Sequence, residues 1–323
     1  MLISIVVPVF NEDTNISILH EKVANVFVNL PYDFELIFIN DGSTDNSLNM
    51  MKTLANSDSN VKYISFSKNF GKESAMFCGL EHANGDATII MDSDMQHPPE
   101  LIPEFIKLYE EGYHQVVASR NRENESFLKR IPANAFYKLS KYIVDVKFKS
   151  GEGDFRLISK NVLQAILNLT EYNRFSKGIF EWVGFSKTTI TFNHKDRNQG
   201  KSKFSFFKLL DYAMDGVISF NNKPLRICFY FSGVTMVVCL LYILITFINI
   251  VLHGIEEPGY FTIISAILFL GSLQLFSLGV IGEYIGRIYY ETKNRPKYII
   301  DQTNMKNNNI DEWVTGDLYD KTI

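Results

Sequence analysis

Two stretches in the last third of this 323-residue chain contain no charged side chain, Ile227–Leu252 and Tyr260–Gly282. Each is longer than the roughly 20 residues with which a helix crosses the hydrocarbon of a bilayer. The turn between them, "HGIEEPGY", has neither Lys nor Arg, whereas Lys223 and Arg226 precede the first run and Arg287, Lys293, Arg295 and Lys297 follow the second. Basic residues collect on the cytoplasmic side of membrane helices, so a two-helix hairpin with both chain termini in the cytoplasm is expected. The alternative is a pair of buried helices in a large soluble core, a setting where charge-free runs of this length are rare. Composition agrees with the membrane reading, with 46% hydrophobic residues and 14% aromatics. A net charge of −4 argues against a protein whose main task is coating nucleic acid. Cys78, Cys228 and Cys239 lie among apolar residues without zinc-site or disulfide spacing, and read as buried thiols in a reducing compartment. The opening "MLISIVVPVFNE" lacks a basic leader and reads as a first strand rather than a signal peptide.

Ahead of the hairpin the pattern alternates. Apolar runs at Leu2–Val9, Phe34–Asn40, Val61–Phe66, Ala87–Met91 and Gln115–Ala118 are separated by stretches of helical periodicity at Ile16–Leu30, Ser47–Asn56, Glu73–Ala83 and Glu100–Glu111. A β-α-β-α order predicts an α/β domain, a parallel sheet with helices on both faces. Such sheets bind ligands beyond the carboxyl ends of their strands. The polar clusters fall there: "PVFNED", "NDGSTDNS", "SKNFGKE" and "DSDMQHPPE" follow the first four runs in turn. Any one of them alone would pass for a turn or a helix cap, and Thr44 with Asp45 is expected to cap a helix. Four in succession indicate a site.

Asp92 and Asp94 stand two apart just after the fourth apolar run, where the chain leaves the sheet. Two carboxylates so placed can converge on one hard cation, with Gln96 as a further oxygen donor. Mg2+ or Mn2+ held this way keeps positions for water and substrate phosphates. If one aspartate instead caps the helix starting near Pro98, only one carboxylate is accounted for.

Taken in order, "SIVVPVFNE", "NDGSTDNS", "SFSKNFGKESA", "DSDMQHPPE", "GDFRLIS", "RNQGKSKFSFFKLL" and "DGVISFNNKPLR" make the chain resemble the polyisoprenyl-phosphate glycosyltransferases of glycosyltransferase family 2, in particular the bacterial two-span branch that includes bactoprenol glucosyltransferases. The resemblance runs from Met1 to about Arg295 and leaves the tail with "NMKNNN" without a counterpart. Ser93 stands where the family commonly has Ala, and "NNKPLR" replaces a more Ser-rich version. The resemblance implies a GT-A (Rossmann-like) domain with a mostly parallel open sheet, followed by the transmembrane hairpin. It divides the chain into a catalytic domain at 1–202, an interfacial segment at 203–225, a hairpin at 226–290 with spans near 227–252 and 260–285, and a cytoplasmic tail at 291–323.

Residue by residue, the resemblance implies a nucleoside pocket at Pro8, Phe10, Glu12 and Asp41, with Lys72 either contributing there or facing solvent. It implies a metal site at Asp92, Asp94 and Gln96, and a catalytic aspartate at Asp154. Arg197, Gly200, Ser202 and Lys203 match a loop closing on the diphosphate, the alternative being an ordinary basic juxtamembrane segment. Arg120, Arg130 and Asn134 match the acceptor-phosphate site. His97 is as consistent with a structural role as with a base, and Arg156 with a structural ion pair. A lipid phosphate has a second pKa of about 6 and is largely ionised at neutral pH, so Asp154 has little need to be a strong base. It could orient the acceptor, hold the last phosphate proton or touch the metal.

The expected reaction is inverting transfer of one sugar, glucose or N-acetylglucosamine, from a UDP-sugar to undecaprenyl (polyprenyl) phosphate at the cytoplasmic membrane face. Partners are then the nucleotide sugar, the lipid phosphate, the bilayer and, by resemblance to tetrameric family members, further copies of the chain. The apolar spacing of the segment before the first span suits the membrane interface. A processive synthase of this fold would carry a Gln-x-x-Arg-Trp motif, but the only tryptophans, Trp182 and Trp313, sit in "FEWVGF" and "DEWVTG". A membrane-anchored nucleotide-sugar sensor without turnover is compatible with the fold alone. Against it stand Asp92, Asp94 and Asp154. Two spans without intramembrane charge offer no polar path for a channel or flippase.

Overall fold

A computed structural model describes residues 1–120, 152–169, 171–172, 174–192 and 259–305, with scattered residues between 230 and 252. Eight strands form one sheet in the order β7-β5-β6-β4-β1-β2-β3-β8. They are β1 Leu2–Val9, β2 Asp33–Asn40, β3 Val61–Phe66, β4 Ala87–Ile90, β5 Gln115–Arg120, β6 Glu152–Ser159, β7 Lys187–Phe192 and β8 Ile300–Thr303. The helices are α1 Asp13–Phe27, α2 Ser47–Ser57, α3 Lys72–Glu81, α4 Ile102–Glu110, α5 Lys160–Leu167, α6 Ser176–Trp182 and α7 Tyr260–Thr292, with a short 3-10 turn at Pro99–Leu101.

The central strand β1 is buried from Ile3 to Val9, as a strand covered on both faces must be. It pairs in parallel with β2 on one side and β4 on the other. Alternation of side chains assigns the two faces. Leu36 and Phe38 of β2 join a core with Ile16, Leu19 and Val23 of α1, Met51 of α2 and Phe105 of α4, whereas Ile37 and Ile39 pack with Ala75 and Cys78 of α3. The helical stripe Ile16, Leu19, Val23, Phe27 follows the spacing of one helix face. On the opposite face α3 lies so close to β1 that a Cβ on Gly79 would meet Val6 Cγ1 at 2.2 Å.

The expected GT-A-like, mostly parallel sheet with helices on both faces is borne out, as a mixed sheet. Two strands run against the rest. β6 is antiparallel to both β4 and β5, and β8 is antiparallel to β3. Because β6 runs backwards, its first residues lie beside the last residues of β4, with Ile90 opposite Arg156. The edge that collects the carboxyl ends of β1, β2 and β4 therefore also receives the amino end of β6.

β8 comes from the tail, beyond the stretch that the family resemblance covers. Tyr298 stacks on Phe66 at 4.9 Å and its hydroxyl donates to Glu81 Oε2 at 2.6 Å. Tyr63 N–H donates to Asn304 Oδ1 at 2.8 Å, and Ser67 N–H to the Ile299 carbonyl at 3.0 Å. This segment thus completes the sheet edge at β3.

α7 is 33 residues long, about 50 Å at the helical rise, and exceeds the roughly 30 Å of bilayer hydrocarbon. It continues past the expected end near 285. Leu275 and Phe276 on it are largely exposed, as a lipid-facing surface requires. Among the described residues it is the one helix long and apolar enough to cross a membrane. The described residues of the first expected span, such as Thr235–Val238, are helical, and the connection at 253–258 lies outside the described residues.

Candidate active site

Polar side chains converge where β1, β2 and β4 end and β6 begins. Asp41 follows β2 directly and is 3% exposed. Its carboxylate accepts the backbone amide of Phe70 at 2.7 Å and that of Gly71 at 3.0 Å. Burial raises the Asp41 pKa and the two amides oppose the rise. Gly42, at φ +66°, is obligatory, because a Cβ there would lie 2.4 Å from the carbonyl carbon of Lys68. Asp41 and Gly42 thus fix the loop that delivers α3. For Asp41 to contact a base as well, it would have to share its oxygens with these amides.

Lys72 opens α3 and reaches across the site. Its Nζ lies 2.5 Å from Asp92 Oδ1 and 2.8 Å from Asp154 Oδ2. It does not simply face solvent, although 44% of its side chain is exposed. Burial of the ammonium would lower its pKa, but Asp154 and then Asp92 raise it well above the ordinary lysine value. Burial alone would raise the Asp154 pKa, yet Lys72, followed by Lys177, holds that carboxyl well below the ordinary range. Asp92 from the end of β4 and Asp154 from the start of β6 are thereby brought onto one cation.

Asp94 Oδ1 accepts the Gln96 amide at 3.2 Å, with Met95 between them at φ +63°. Neither aspartate caps the helical turn at Pro99–Leu101, whose N-cap Pro98 has no side-chain cap. His97 accepts the Asp92 amide on Nδ1 at 2.9 Å and stacks on Phe155 at 4.8 Å. Burial lowers its pKa. Its ring therefore positions Asp92 and the strand carrying Asp154. Among the described residues no three His, Cys, Asp or Glu side chains are grouped so as to hold a metal ion by themselves. Asp92, Asp94 and Gln96 follow one another in the loop after β4 and carry the oxygen donors that Mg2+ or Mn2+ combines with water and phosphate. An ammonium held between Asp92 and Asp154 shows that the site already accommodates positive charge.

Of the nucleoside residues, Pro8 is buried within β1, opposite Ile39 of β2, whereas Phe10 is 39% exposed and offers an apolar surface. Glu12 Oε2 accepts the Asn15 side-chain amide at 2.7 Å. Asp45 does cap: its two oxygens accept the first-turn amides of α2 at Ser47 and of α1 at Asp13. Thr44 instead donates its amide to Asn11 Oδ1. Arg120 ends β5, at the same sheet edge. Arg130, Asn134, Arg197, Gly200, Ser202 and Lys203 lie outside the described residues. Arg156 makes no ion pair with a carboxylate among the described residues. It is 2% exposed, donates to the Gly153 carbonyl at 2.6 Å and lies 3.9 Å over the Phe180 ring. Sequence reasoning does not single out Glu73, which accepts hydrogen bonds from both the amide and the hydroxyl of Ser176. Nor does it single out Lys177, whose charge acts on Asp154. Glu73 lies inside "GKESA", but nothing in "RFSKGIF" announces its partners.

The model of "Glycosyl transferase family 2" matches residues 4–167, just over half of the chain, including β1–β4 and Asp154. The chain belongs to glycosyltransferase family 2. A second model, "GtrB C-terminal hairpin", matches residues 223–288. The putative glycosyltransferase CsbB of Bacillus subtilis is 52% identical over 96% of this chain and 94% of its own length. The SfII prophage-derived bactoprenol glucosyl transferase of Shigella flexneri is 43% identical over 95% of this chain and the whole of its own. A prophage bactoprenol glucosyl transferase homolog of Escherichia coli K12 is also 43% identical, over 93% of this chain and 98% of its own. As a family 2 member the chain is a glycosyltransferase that uses an activated sugar.

Proposed function

We propose that this glycosyltransferase moves one sugar, glucose or N-acetylglucosamine, from a UDP-sugar to undecaprenyl phosphate at the cytoplasmic face of the membrane, with inversion at the anomeric carbon. The observation that carries the reading is the junction of Asp92 and Asp154 on Lys72, in a chain that carries a long lipid-compatible helix. Full-length relatives named bactoprenol glucosyl transferase support the acceptor and favour glucose.

Asp92, Asp94 and Gln96 would hold Mg2+ or Mn2+, which neutralises the departing diphosphate. Phe10 gives the nucleoside a surface, and Arg197, Ser202 and Lys203 close on the diphosphate. Arg120, Arg130 and Asn134 bind the acceptor phosphate. Asp154, kept ionised by Lys72, is a weak proton acceptor, and the lipid phosphate arrives already ionised, so Asp154 orients rather than deprotonates. Attack then needs only an in-line approach opposite the leaving group, with electrostatic clamping as the main source of rate. Catalytic domain and termini are cytoplasmic, and the hairpin at 226–290 spans the membrane twice.

The test is transfer of labelled sugar from a panel of UDP- and GDP-sugars to undecaprenyl phosphate by purified full-length protein, with Mn2+ or Mg2+ and then with chelator. A single lipid-linked sugar formed only with metal supports the assignment. Nucleotide-sugar binding without transfer would put the sensor reading, or transfer to a different acceptor, in its place.

A further inference from the structure

Lys72 is a long, flexible side chain on a rigid base. Asp41 clamps the amides of Phe70 and Gly71, so the start of α3 cannot drift, whereas the Lys72 side chain is 44% exposed and its four-carbon stem can swing. Its ammonium stands between two carboxylates, one in the loop after β4 and one in β6, that would otherwise repel one another. A divalent cation on Asp92 would meet the Nζ atom 2.5 Å from Oδ1, too close for the two cations to share that oxygen without strong repulsion.

We propose that Lys72 is a built-in counter-cation: it neutralises Asp92 and Asp154 while the donor site lacks metal, and it yields Asp92 to the arriving divalent ion while staying on Asp154. This rests on the metal site of the proposed function and adds an exchange step to it. An ammonium has three N–H donors, so leaving Asp92 frees one for a phosphate oxygen without breaking the Asp154 contact. Lys72 is thus a positioning residue whose state reports whether the metal is in place.

The experiment titrates Mn2+ into full-length protein in detergent micelles, followed by electron paramagnetic resonance, with thermal unfolding in chelator and at saturating Mn2+ alongside. Lys72→Gln should bind Mn2+ about tenfold more tightly than wild type, a modest factor because the pair is partly solvent-exposed. It should also unfold at a lower temperature in chelator, with the gap narrowing at saturating Mn2+. Lys72→Arg keeps the charge and should stay near wild-type affinity. If Asp92→Asn abolishes Mn2+ binding but Lys72→Gln leaves it unchanged or weakens it, the exchange is overturned and the metal site stands. If wild type binds no Mn2+, both fall.

Discussion

Asp41 holds Gly71 by accepting its amide on both carboxylate oxygens, at 3.1 and 3.0 Å, and so determines where Lys72 begins. An asparagine at 41 keeps one acceptor but turns an N–H2 group toward the same amides. Asp41→Asn should cost about 1–3 kcal/mol, the penalty for a buried group left poorly paired. Sugar transfer should fall further than stability alone explains, because the base of Lys72 shifts. Denaturant unfolding and the transfer assay on the same preparation separate the two effects.

Glu73 supplies a pH signature. Its carboxyl is pushed up to about 7 from an ordinary 4.5, chiefly by burial, which the Ser176 hydrogen bonds oppose and Asp154 reinforces. The native state binds this proton more tightly than the unfolded chain. Its stabilising contribution is therefore complete below pH 4.5 and is lost as the pH rises to about 7. Glu73→Gln should flatten the stability profile across that window by about 3 kcal/mol. A profile parallel to wild type, measured by unfolding at half-unit pH steps, would remove Glu73 as its source.

Asp94 separates chemistry from folding. Its Oδ1 accepts the Gln96 amide two residues on, and an asparagine oxygen can do the same. Asp94→Asn should leave the unfolding temperature nearly unchanged while transfer drops about 100-fold or more, the scale expected when charge stabilisation at the reacting centre is removed. Normal turnover in this variant would contradict the metal assignment.

Tyr298 tests the sheet edge. Truncation to alanine removes the Phe66 stack and the Glu81 hydrogen bond together and should cost about 3 kcal/mol. Loss of β8 would also bare the edge of β3, so aggregation should rise in step. Light scattering during thermal unfolding reads both.

How much of the fold and the site is legible in the sequence depends on where each signal resides. β1 announces itself because "LISIVVPV" is apolar on both faces, and Asp92 and Asp94 stand out because they follow such a run. β8 has no such signal. "IDQT" becomes a strand only because β3, more than two hundred residues earlier, offers it an edge. β6 begins with the polar "EGD", so its sequence marks Asp154 but not the reversed direction that carries Asp154 to the β4 end. The Lys72 bridge joins residues 82 positions apart and follows from that reversal rather than from any local spacing.

β7 and β8 are the two outermost strands of the sheet, and the apolar membrane segment belongs to the stretch of chain between them. The lipid-compatible part therefore falls, in the chain, between two strands of one sheet rather than after the last of them. A truncation ending before the first span would lose an edge strand. A deletion of the hairpin alone would have to bridge seven strand spacings, about 34 Å, or roughly ten extended residues. Because β8 follows the long apolar helix in the chain, the β3 edge of the sheet stays uncovered during synthesis until that helix has been made.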